Sequence, residues 1–303
     1  MNKVFLILLS ALLNFGIGYG QNEAYSIKNL KVNNANNHFG VSFFKDNKIV
    51  FTSNLLTKRG KIKHLNGTPQ LTLYSAEINS EGDIINEKLL PKKIDASVFN
   101  LSAATFSPDK KSIYVTTNLY NSKRNSNLKQ GASKLTIQVG EYIEGIGWTN
   151  FKPLSFCDSR YSYGHPAISA DGKYLYFVSN MRGSAGGTDI FRVSIDEDGI
   201  FGDPENLGAK INTRKKELFP FISADNQLYF SSNRPGGYGN LDIYKSQILE
   251  DGSFSKAELL EGPINTRLDD FGLIMNNDLK SGYFTSSRAG GQGGDDLYYF
   301  TKI

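Results

Sequence analysis

The chain has 303 residues, of which 39% are hydrophobic and 21% are charged, and this composition excludes wholesale disorder and a multi-span membrane protein. It holds one cysteine, which excludes a disulfide framework and a cysteine-based zinc cluster. The formal net charge of +4 is too small to indicate nucleic-acid binding by itself.

The first twenty residues are typical of a secretory signal peptide. Lys3 supplies the positive start, residues 4–13 form an apolar run, and the small residues Gly18 and Gly20 precede Gln21. The apolar run is short for a transmembrane span, although an uncleaved anchor is the alternative. We therefore predict cleavage of residues 1–20 and export of the mature chain to the periplasm or cell envelope, or its secretion, without a membrane span.

A sequence motif recurs five times after this leader. Its clearest copies span residues 168–180 and 222–233, where Ile-Ser-Ala-Asp precedes Leu-Tyr-Phe and then Ser-Asn. Every copy holds an aspartate at the expected turn between two strands, and these aspartates are spaced by 63, 62, 54 and 53 residues. They are Asp46, Asp109, Asp171, Asp225 and Asp278. Five matches at a nearly constant period indicate a protein built from five similar units.

Each unit contains four strand-like segments, which predicts an all-β fold. A short apolar run precedes the aspartate turn, an alternating segment follows it, and two further segments come after glycine-containing loops or turns. Four short antiparallel strands repeated radially are typical of a β-propeller. We therefore predict a five-bladed β-propeller of four-stranded antiparallel blades, forming a single domain over residues 21–303.

The two ends of the chain predict how the ring closes. The fifth unit ends after its third strand, so its fourth strand is missing there. Residues 26–33 match the fourth-strand pattern, and Asn33 stands five residues before His38, as Asn212 stands five residues before Glu217. We predict that this N-terminal strand completes the last blade and removes an open sheet edge.

Alignment of the units also assigns two residues that would otherwise suggest chemistry. Cys157 aligns with Ile211, so we predict that it fills an apolar site rather than acting as a nucleophile. Trp148 aligns with Phe201, which favours packing in the core over a platform for a ligand.

The third-strand aspartates and the histidines do not indicate a metal site. One aspartate follows each glycine-rich loop of units three to five, and we predict that its carboxylate bonds the loop backbone rather than calcium. The three histidines stand in different units and at different repeat positions, which argues against a histidine-based metal site. These aspartates are Asp189, Asp242 and Asp296, and the histidines are His38, His64 and His165. We expect no cofactor.

The repeat resembles the WD40-like repeat of the TolB type. Its signature is Ser-x-Asp-Gly-x-x-Leu-Tyr-Phe-x-Ser-Asn-Arg, then a glycine-rich loop and Asp-Ile-Tyr, as found at residues 169–191, 223–244 and 276–298. Units one and two depart from this signature, because Thr72 and Thr136 replace the third-strand aspartate.

Residues 212–220 and 234–244 resemble most closely the propeller in OmpA-family envelope proteins of the type IX secretion and gliding apparatus. The resemblance covers the propeller part of those proteins. It implies a non-enzymatic scaffold in the cell envelope, linked to secretion machinery, with another envelope protein as its partner.

The alternative class of function is a carbohydrate-binding or glycoside-cleaving propeller. Several glycosidase families use five blades, and hydrolysis needs two or three carboxylates at the central channel. The predicted channel-lining strands hold no Asp or Glu, and acids stand only where these strands begin, as Glu217, Asp269 and Asp270. We therefore expect that the chain is not an enzyme. A second candidate contact is the channel mouth near Tyr163, Glu217 and Asp270.

Positive charge is concentrated in loops that share one face of the predicted propeller. The loops over residues 55–71 and 119–135 are twice as long as their counterparts in the other units and hold no acid. Their cations are Lys58, Arg59, Lys61, Lys63, Lys123, Arg124, Lys129 and Lys134. The shorter loops add Arg182, Arg234 and Arg288.

A basic rim of this kind attracts acidic partners, so the sequence predicts an envelope protein with an acidic contact surface. The alternative is a mobile loop whose lysines only keep the chain soluble. Nucleic acid is not an expected partner of an exported chain, and no aromatic ladder accompanies the basic residues.

Overall fold

The computed structural model describes residues 24–65, 67–93, 98–119 and 134–303. The predicted leader at residues 1–20 lies outside these ranges. The described chain is all-β, and within it no helix has the length and apolar character needed to cross a membrane.

Twenty-two strands follow one another along the described chain. The first eleven are β1 (Tyr25–Asn29), β2 (His38–Lys45), β3 (Lys48–Asn54), β4 (His64–Leu65), β5 (Thr68–Pro69), β6 (Leu71–Ile78), β7 (Ile84–Leu89), β8 (Val98–Phe106), β9 (Ser112–Leu119), β10 (Leu135–Ile143) and β11 (Gly147–Pro153). The others are β12 (Tyr163–Ile168), β13 (Tyr174–Ser179), β14 (Asp189–Ser194), β15 (Glu205–Asn206), β16 (Glu217–Ile222), β17 (Gln227–Ser232), β18 (Asp242–Gln247), β19 (Glu258–Leu259), β20 (Asp270–Met275), β21 (Ser281–Ser286) and β22 (Asp296–Lys302).

These strands form five antiparallel sheets of four strands each, which confirms the predicted five-bladed propeller. Blades 1 to 5 have the orders β2-β3-β6-β7, β8-β9-β10-β11, β12-β13-β14-β15, β16-β17-β18-β19 and β20-β21-β22-β1. Strands β4 and β5 form a separate small hairpin, which is inserted between the second and third strands of blade 1.

Strand β1 closes the ring, as the sequence predicts. It pairs antiparallel with β22 at the edge of blade 5. The buried side chain of Asn33 accepts a hydrogen bond from the Leu297 amide at 2.9 Å and donates one to the Leu297 carbonyl at 2.8 Å. Asn212 and Asn265 bind the third strands of blades 3 and 4 in the same way. The chain segment after β1 therefore acts as the missing fourth-strand segment of blade 5.

The aspartate turns join the first two strands of each blade. The Asp171 carboxylate accepts hydrogen bonds from the Ser169 hydroxyl and the Lys173 amide, which holds the turn. In blades 2 to 5 the residue after the aspartate has a positive φ, as at Gly172 (73°) and Asn226 (58°), whereas in blade 1 Asp46 itself does (28°). This geometry confirms the prediction that an Asp-Gly or Asp-Asn pair forms a tight hairpin here.

The hydrophobic core consists of layers between neighbouring blades. Trp148 is 1% exposed and packs with Phe44 and Phe106 between blades 1 and 2, which confirms its predicted role in the core. Cys157 packs against the layer between blades 2 and 3, and burial raises the pKa of its thiol. A raised pKa leaves less of the nucleophilic thiolate at neutral pH, in agreement with an apolar filler.

Candidate functional site

Two faces of the propeller differ in what they present. The loop face carries the loops between second and third strands and the connections from each fourth strand to the next blade. These two kinds of segment touch, since the Glu217 amide donates to the Thr188 carbonyl and the His38 amide to the Asp295 carbonyl. The turn face carries the five aspartate turns. The first strand of each blade runs along the central channel from the loop face to the turn face.

Every channel-lining strand has a residue in the left-handed region at the same repeat position, with φ between 40° and 64°. The pairing register shifts around that residue in all five blades, so each inner strand carries a bulge at the same height. The five residues are Gly40, Ala103, His165, Phe219 and Gly272. The bulges narrow the channel to a common waist.

Hydroxyl groups from neighbouring blades hold three of these bulges. Thr52 accepts a hydrogen bond from the Ala103 amide at 3.0 Å, and Thr116 accepts one from the His165 amide at 2.9 Å. Ser231 accepts the same bond from Gly272 at 3.3 Å. In each pair the second strand of one blade binds the inner strand of the next.

Blade 3 has no hydroxyl at this position, because Val178 stands where the other blades have Thr or Ser. The Phe219 amide of blade 4 instead donates its hydrogen bond to Nδ1 of His165 at 3.2 Å. The imidazole ring also stacks on the Phe219 ring, with 3.8 Å between centroids. Burial lowers the pKa of His165 to about 4, which keeps Nδ1 free to accept this bond at neutral pH.

Four aromatic rings meet in the channel toward the loop face. Phe219 packs against Phe271 at 4.8 Å and against Phe39 at 6.4 Å, while His165 covers its other side. We call these four rings the aromatic plug. Because they come from blades 1, 3, 4 and 5, the plug also ties the blades together across the axis.

The acids predicted at the channel mouth are buried in ion pairs. Glu217 is 0% exposed, and its carboxylate lies 3.3 Å from the guanidinium of Arg234. It also accepts hydrogen bonds from the Thr213 amide and hydroxyl and from the Ser232 hydroxyl. The Arg234 guanidinium lies over the Tyr244 ring, 4.6 Å from its centroid.

Asp270 repeats this arrangement in blade 5. Its carboxylate is 2.7 Å from Arg288, and it accepts hydrogen bonds from the Thr266 amide and hydroxyl. The Arg288 guanidinium lies over the Phe284 and Tyr298 rings, 4.9 Å from each centroid. The side chains of Arg234 and Arg288 are 13% and 14% exposed. Both were predicted to belong to the basic rim, but they are largely buried within their own blades.

Blade 3 replaces both members of this pair together. Tyr163 stands where Glu217 and Asp270 stand, and it is 1% exposed. Met181 stands where the two arginines stand and packs against the same apolar layer. The acid and the arginine are therefore both present or both absent in these three blades. This indicates that each neutralises the charge of the other.

The third-strand aspartates bind loop backbone, as predicted. Asp189 accepts hydrogen bonds from the Ala185 and Gly186 amides, and Asp296 accepts them from the Gln292 and Gly293 amides. Among the described residues, no group of three or more His, Cys, Asp and Glu side chains is arranged to hold a metal ion.

The basic loop of blade 1 remains open to solvent. Four of its cations are exposed, and none forms an ion pair with a described residue; they are Lys58, Arg59, Lys61 and Lys63. Arg182 of blade 3 is also exposed on the loop face. In the second basic loop, Lys123, Arg124 and Lys129 lie outside the described residues. Lys134 is exposed, and its ammonium group donates to the Arg160 carbonyl.

The structure thus separates the predicted site residues into two groups. The blade 1 cations and Arg182 are available on the surface, whereas Tyr163, Glu217 and Asp270 are buried. His165 and Phe219 were missed as channel residues. They could have been found from the alignment of the units, which places them at the position of Gly40 and Gly272. A large side chain at that position enters the channel.

No family model matches the chain, and no curated protein is similar to it. Several solved structures are similar in fold. A β-xylosidase/α-arabinofuranosidase of glycoside hydrolase family 43 from a compost microbial metagenome gives a TM-score of 0.53 at 12% identity, over 91% of this chain and 93% of that one. A second β-xylosidase gives 0.52 at 12% identity, over 88% and 92%. A TolB-like protein from Agrobacterium tumefaciens gives 0.48 at 14% identity, over 93% and 91%.

The chain spans only 30% of the length of a prolyl endopeptidase and 50% of a puromycin hydrolase to which it is also similar. The expectation that the chain is not an enzyme was wrong, because it excluded a class of function that this fold supports. Two β-xylosidases share its fold over at least 88% of each chain, so this fold is compatible with enzymatic activity. At 12% identity the likeness shows the fold alone, and that fold is a five-bladed β-propeller.

Proposed function

We propose that this chain is an exported scaffold of the cell envelope that binds an acidic protein partner on its loop face. The observation that carries the proposal is the long loop between β3 and β6 of blade 1. Its four cations are exposed and have no acidic partner among the described residues; they are Lys58, Arg59, Lys61 and Lys63. A cluster of unpaired cations attracts an acidic surface and speeds the encounter with it.

Other exposed residues of the loop face are also positively charged. Residues 214–216 are Arg-Lys-Lys, all exposed, and Arg182 is exposed in the neighbouring loop. Two acids of this face, Glu217 and Asp270, are neutralised inside their blades, while Asp269 and Asp295 are half-buried. Free cations therefore outweigh free acids where a partner would dock.

The envelope location rests on two features of the sequence. Residues 1–20 have the composition of a secretory leader, and residues 212–220 and 234–244 resemble the propeller in OmpA-family envelope proteins of the type IX secretion and gliding apparatus. A link to secretion machinery follows from that resemblance, as does the expectation that the partner is another envelope protein.

Binding to an acidic polymer tests the loop face directly. We would immobilise poly-L-glutamate and measure association of the mature chain with K58S/R59S/K61S/K63S as the test variant. We expect association to slow by roughly tenfold or more at low salt, since steering by charge accelerates encounter by about 10 to 1,000-fold. The difference should shrink as salt rises, because the Debye length falls from about 10 Å at 0.1 M to 3 Å at 1 M.

A matched control removes four cations from the opposite face. The variant K48S/K111S/K173S/K280S changes the net charge equally, and its lysines are exposed near the aspartate turns. It should associate nearly as fast as the parent. Equal slowing of both variants would show that only net charge matters, and no slowing of the first would remove the blade 1 loop from the mechanism.

A second candidate is a carbohydrate-active propeller. It is favoured by the shared fold with two β-xylosidases and by Glu217 and Asp270, two carboxylates at the same position of neighbouring blades. Glycoside hydrolysis uses such a pair, one as acid and one as nucleophile or base. Both carboxylates are bound to arginines here, which ranks this candidate second.

Hydrolysis of nitrophenyl xylosides and arabinosides tests the second candidate. Turnover by the mature chain that disappears in Glu217→Gln and in Asp270→Asn, with both variants still folded, would establish it. Turnover that persists in both variants would come from elsewhere and would remove these carboxylates from the reaction.

A further inference from the structure

The two ends of the channel differ. The aromatic plug lies near the loop face, where the inner strands begin. Beyond the waist, a cavity of about 60 Å³ continues into a larger one of about 180 Å³. Ser42, Thr105, Ala167, Phe221 and Ile274 line both, so the two form one funnel that widens toward the turn face.

A large part of the wall of this funnel is apolar. Phe43, Phe106, Phe221, Ile274 and Met275 contribute to it, and they come from blades 1, 2, 4 and 5. Met275 is 3% exposed, so this surface lies deep between the blades. The wall also holds the polar side chains of Ser42, Thr105, Ser169 and Asn277. Sites for small organic molecules combine apolar surface with placed polar groups.

One charged side chain lines the funnel. Lys110 follows the aspartate turn of blade 2 and is half-buried, and no Asp or Glu belongs to the lining. Lys110 forms no ion pair with a described residue. Its nearest acid is Asp109, whose carboxylate accepts hydrogen bonds from the Ser107 hydroxyl and the Lys111 amide. Burial lowers the pKa of Lys110, in keeping with an ammonium group withdrawn from bulk water.

The volume limits the size of the apolar group that fits. A cavity of about 150 Å³ lined by apolar side chains holds one benzene molecule. The larger chamber, at about 180 Å³, therefore accommodates one aromatic ring or a branched chain of similar size.

We propose that the turn-face funnel binds a small apolar carboxylate, with its ring or branched chain in the larger chamber and its carboxylate on Lys110. This site is separate from the basic loops, which lie on the opposite face. The bound carboxylate belongs either to a free small acid or to the C-terminal residue of a peptide. Both present the same chemistry, a single anionic group beside one apolar group.

Calorimetric titration of the mature chain with 3-phenylpropionate and with 3-phenylpropionamide tests the site. The two probes have nearly the same shape and differ in charge. We expect the acid to bind at least tenfold more tightly than the amide, because the ammonium group pairs only with the acid. Equal affinities, or no saturable binding of the acid, would overturn the proposal.

Three variants localise the binding. Lys110→Met should abolish the preference for the acid, whereas Lys111→Met, which removes a neighbouring exposed lysine, should keep it. Ser42→Leu should block both probes by filling the chamber that Ser42 lines. Thermal melting shows whether each variant is folded. A preference that survives in folded Lys110→Met, or binding that survives in folded Ser42→Leu, would place the ligand elsewhere.

A peptide pair then distinguishes the sources. We would compare acetyl-Ala-Ala-Phe with a free carboxylate and the same peptide with a C-terminal amide. Tighter binding of the free-carboxylate peptide than of 3-phenylpropionate identifies a chain end as the ligand. Weaker binding identifies a free small acid, and either result supports the carboxylate site.

Discussion

His165 shows how one residue can replace a missing partner in another blade. In blades 1, 2 and 4 a Thr or Ser binds the bulge of the next blade, but blade 3 has Val178 at that position. Its hydrogen bond is restored by an imidazole that enters from the channel side and accepts from the Phe219 amide. A buried amide without any acceptor would cost about 1–3 kcal/mol.

The presence of Val178 in place of a Thr or Ser predicts that a second substitution restores stability lost at His165. His165→Ala should destabilise the protein by roughly 2 kcal/mol, since the Phe219 amide loses its acceptor and its ring loses a stacking partner. Adding Val178→Thr should recover part of the loss by supplying the hydroxyl that other blades have. Urea unfolding of the two variants and of Val178→Thr alone measures this coupling. Additive effects would show that Val178 and His165 do not share the bond.

His165 also predicts how stability depends on pH. Its folded pKa is about 4 and its ordinary value is 6.5, so between these values the unfolded chain binds a proton that the folded chain does not. Stability from this group is therefore complete above pH 6.5 and falls as the pH drops toward 4. The slope reaches about 1.4 kcal/mol per pH unit.

The double variant H165A/V178T isolates this contribution. Unfolding free energies between pH 7 and pH 4.5 should fall less steeply for it than for the parent. His38 is also buried with a lowered pKa and keeps its own effect in both proteins. Identical slopes would mean that His165 is not the group that titrates.

At the scale of the blade, the two acid–arginine pairs allow charged side chains to be buried within a single blade. Glu217 and Arg234 lie on the first strand and just after the second strand of blade 4, and blade 5 repeats this with Asp270 and Arg288. Each arginine also covers the aromatic rings of its own blade, so charge neutralisation and ring packing are combined in one side chain.

A double-mutant comparison separates these two roles. Arg234→Met should cost about 3 kcal/mol or more, because removing one partner leaves a buried, uncompensated carboxylate. Adding Glu217→Gln should recover much of that cost, since the amide is neutral and can still accept from Thr213 and Ser232. Chemical unfolding measures both variants. Without recovery, the loss in Arg234→Met would come from ring packing instead.

The regular parts of the blades could be predicted from the sequence because they repeat. The aspartate spacing gave the blade count, and the alignment of Asn33 with Asn212 gave the closing strand. The pairing of Glu217 with Arg234 escaped prediction, although both residues were noted, because burial depends on how the blades meet. His165 escaped for a related reason, since its hydrogen bond joins two blades and departs from the repeat.

At the scale of the whole molecule, the closed ring leaves each blade packed against two others. Strand β1 contributes this closure with only five residues, while Asn33 fixes the segment that follows. The layer between blades 5 and 1 includes Leu30, which is 0% exposed. Loss of β1 would therefore expose both a sheet edge and an apolar surface.

Deleting residues 21–34 tests the closure. The truncated chain should melt at a markedly lower temperature than the chain that lacks only residues 21–23, because it loses β1, Leu30 and Asn33 together. Differential scanning calorimetry compares the two. Equal melting temperatures would show that the ring is stable without its closing strand.

The pairing of β1 with β22 also fixes an order of events when the protein is made. Asn33 and Leu297 are 264 residues apart along the chain, so β1 is synthesised long before the strand it binds. Contacts of such large sequence separation form late and slow folding. While the ribosome still holds the C-terminal strand, blade 5 is incomplete and the ring stays open.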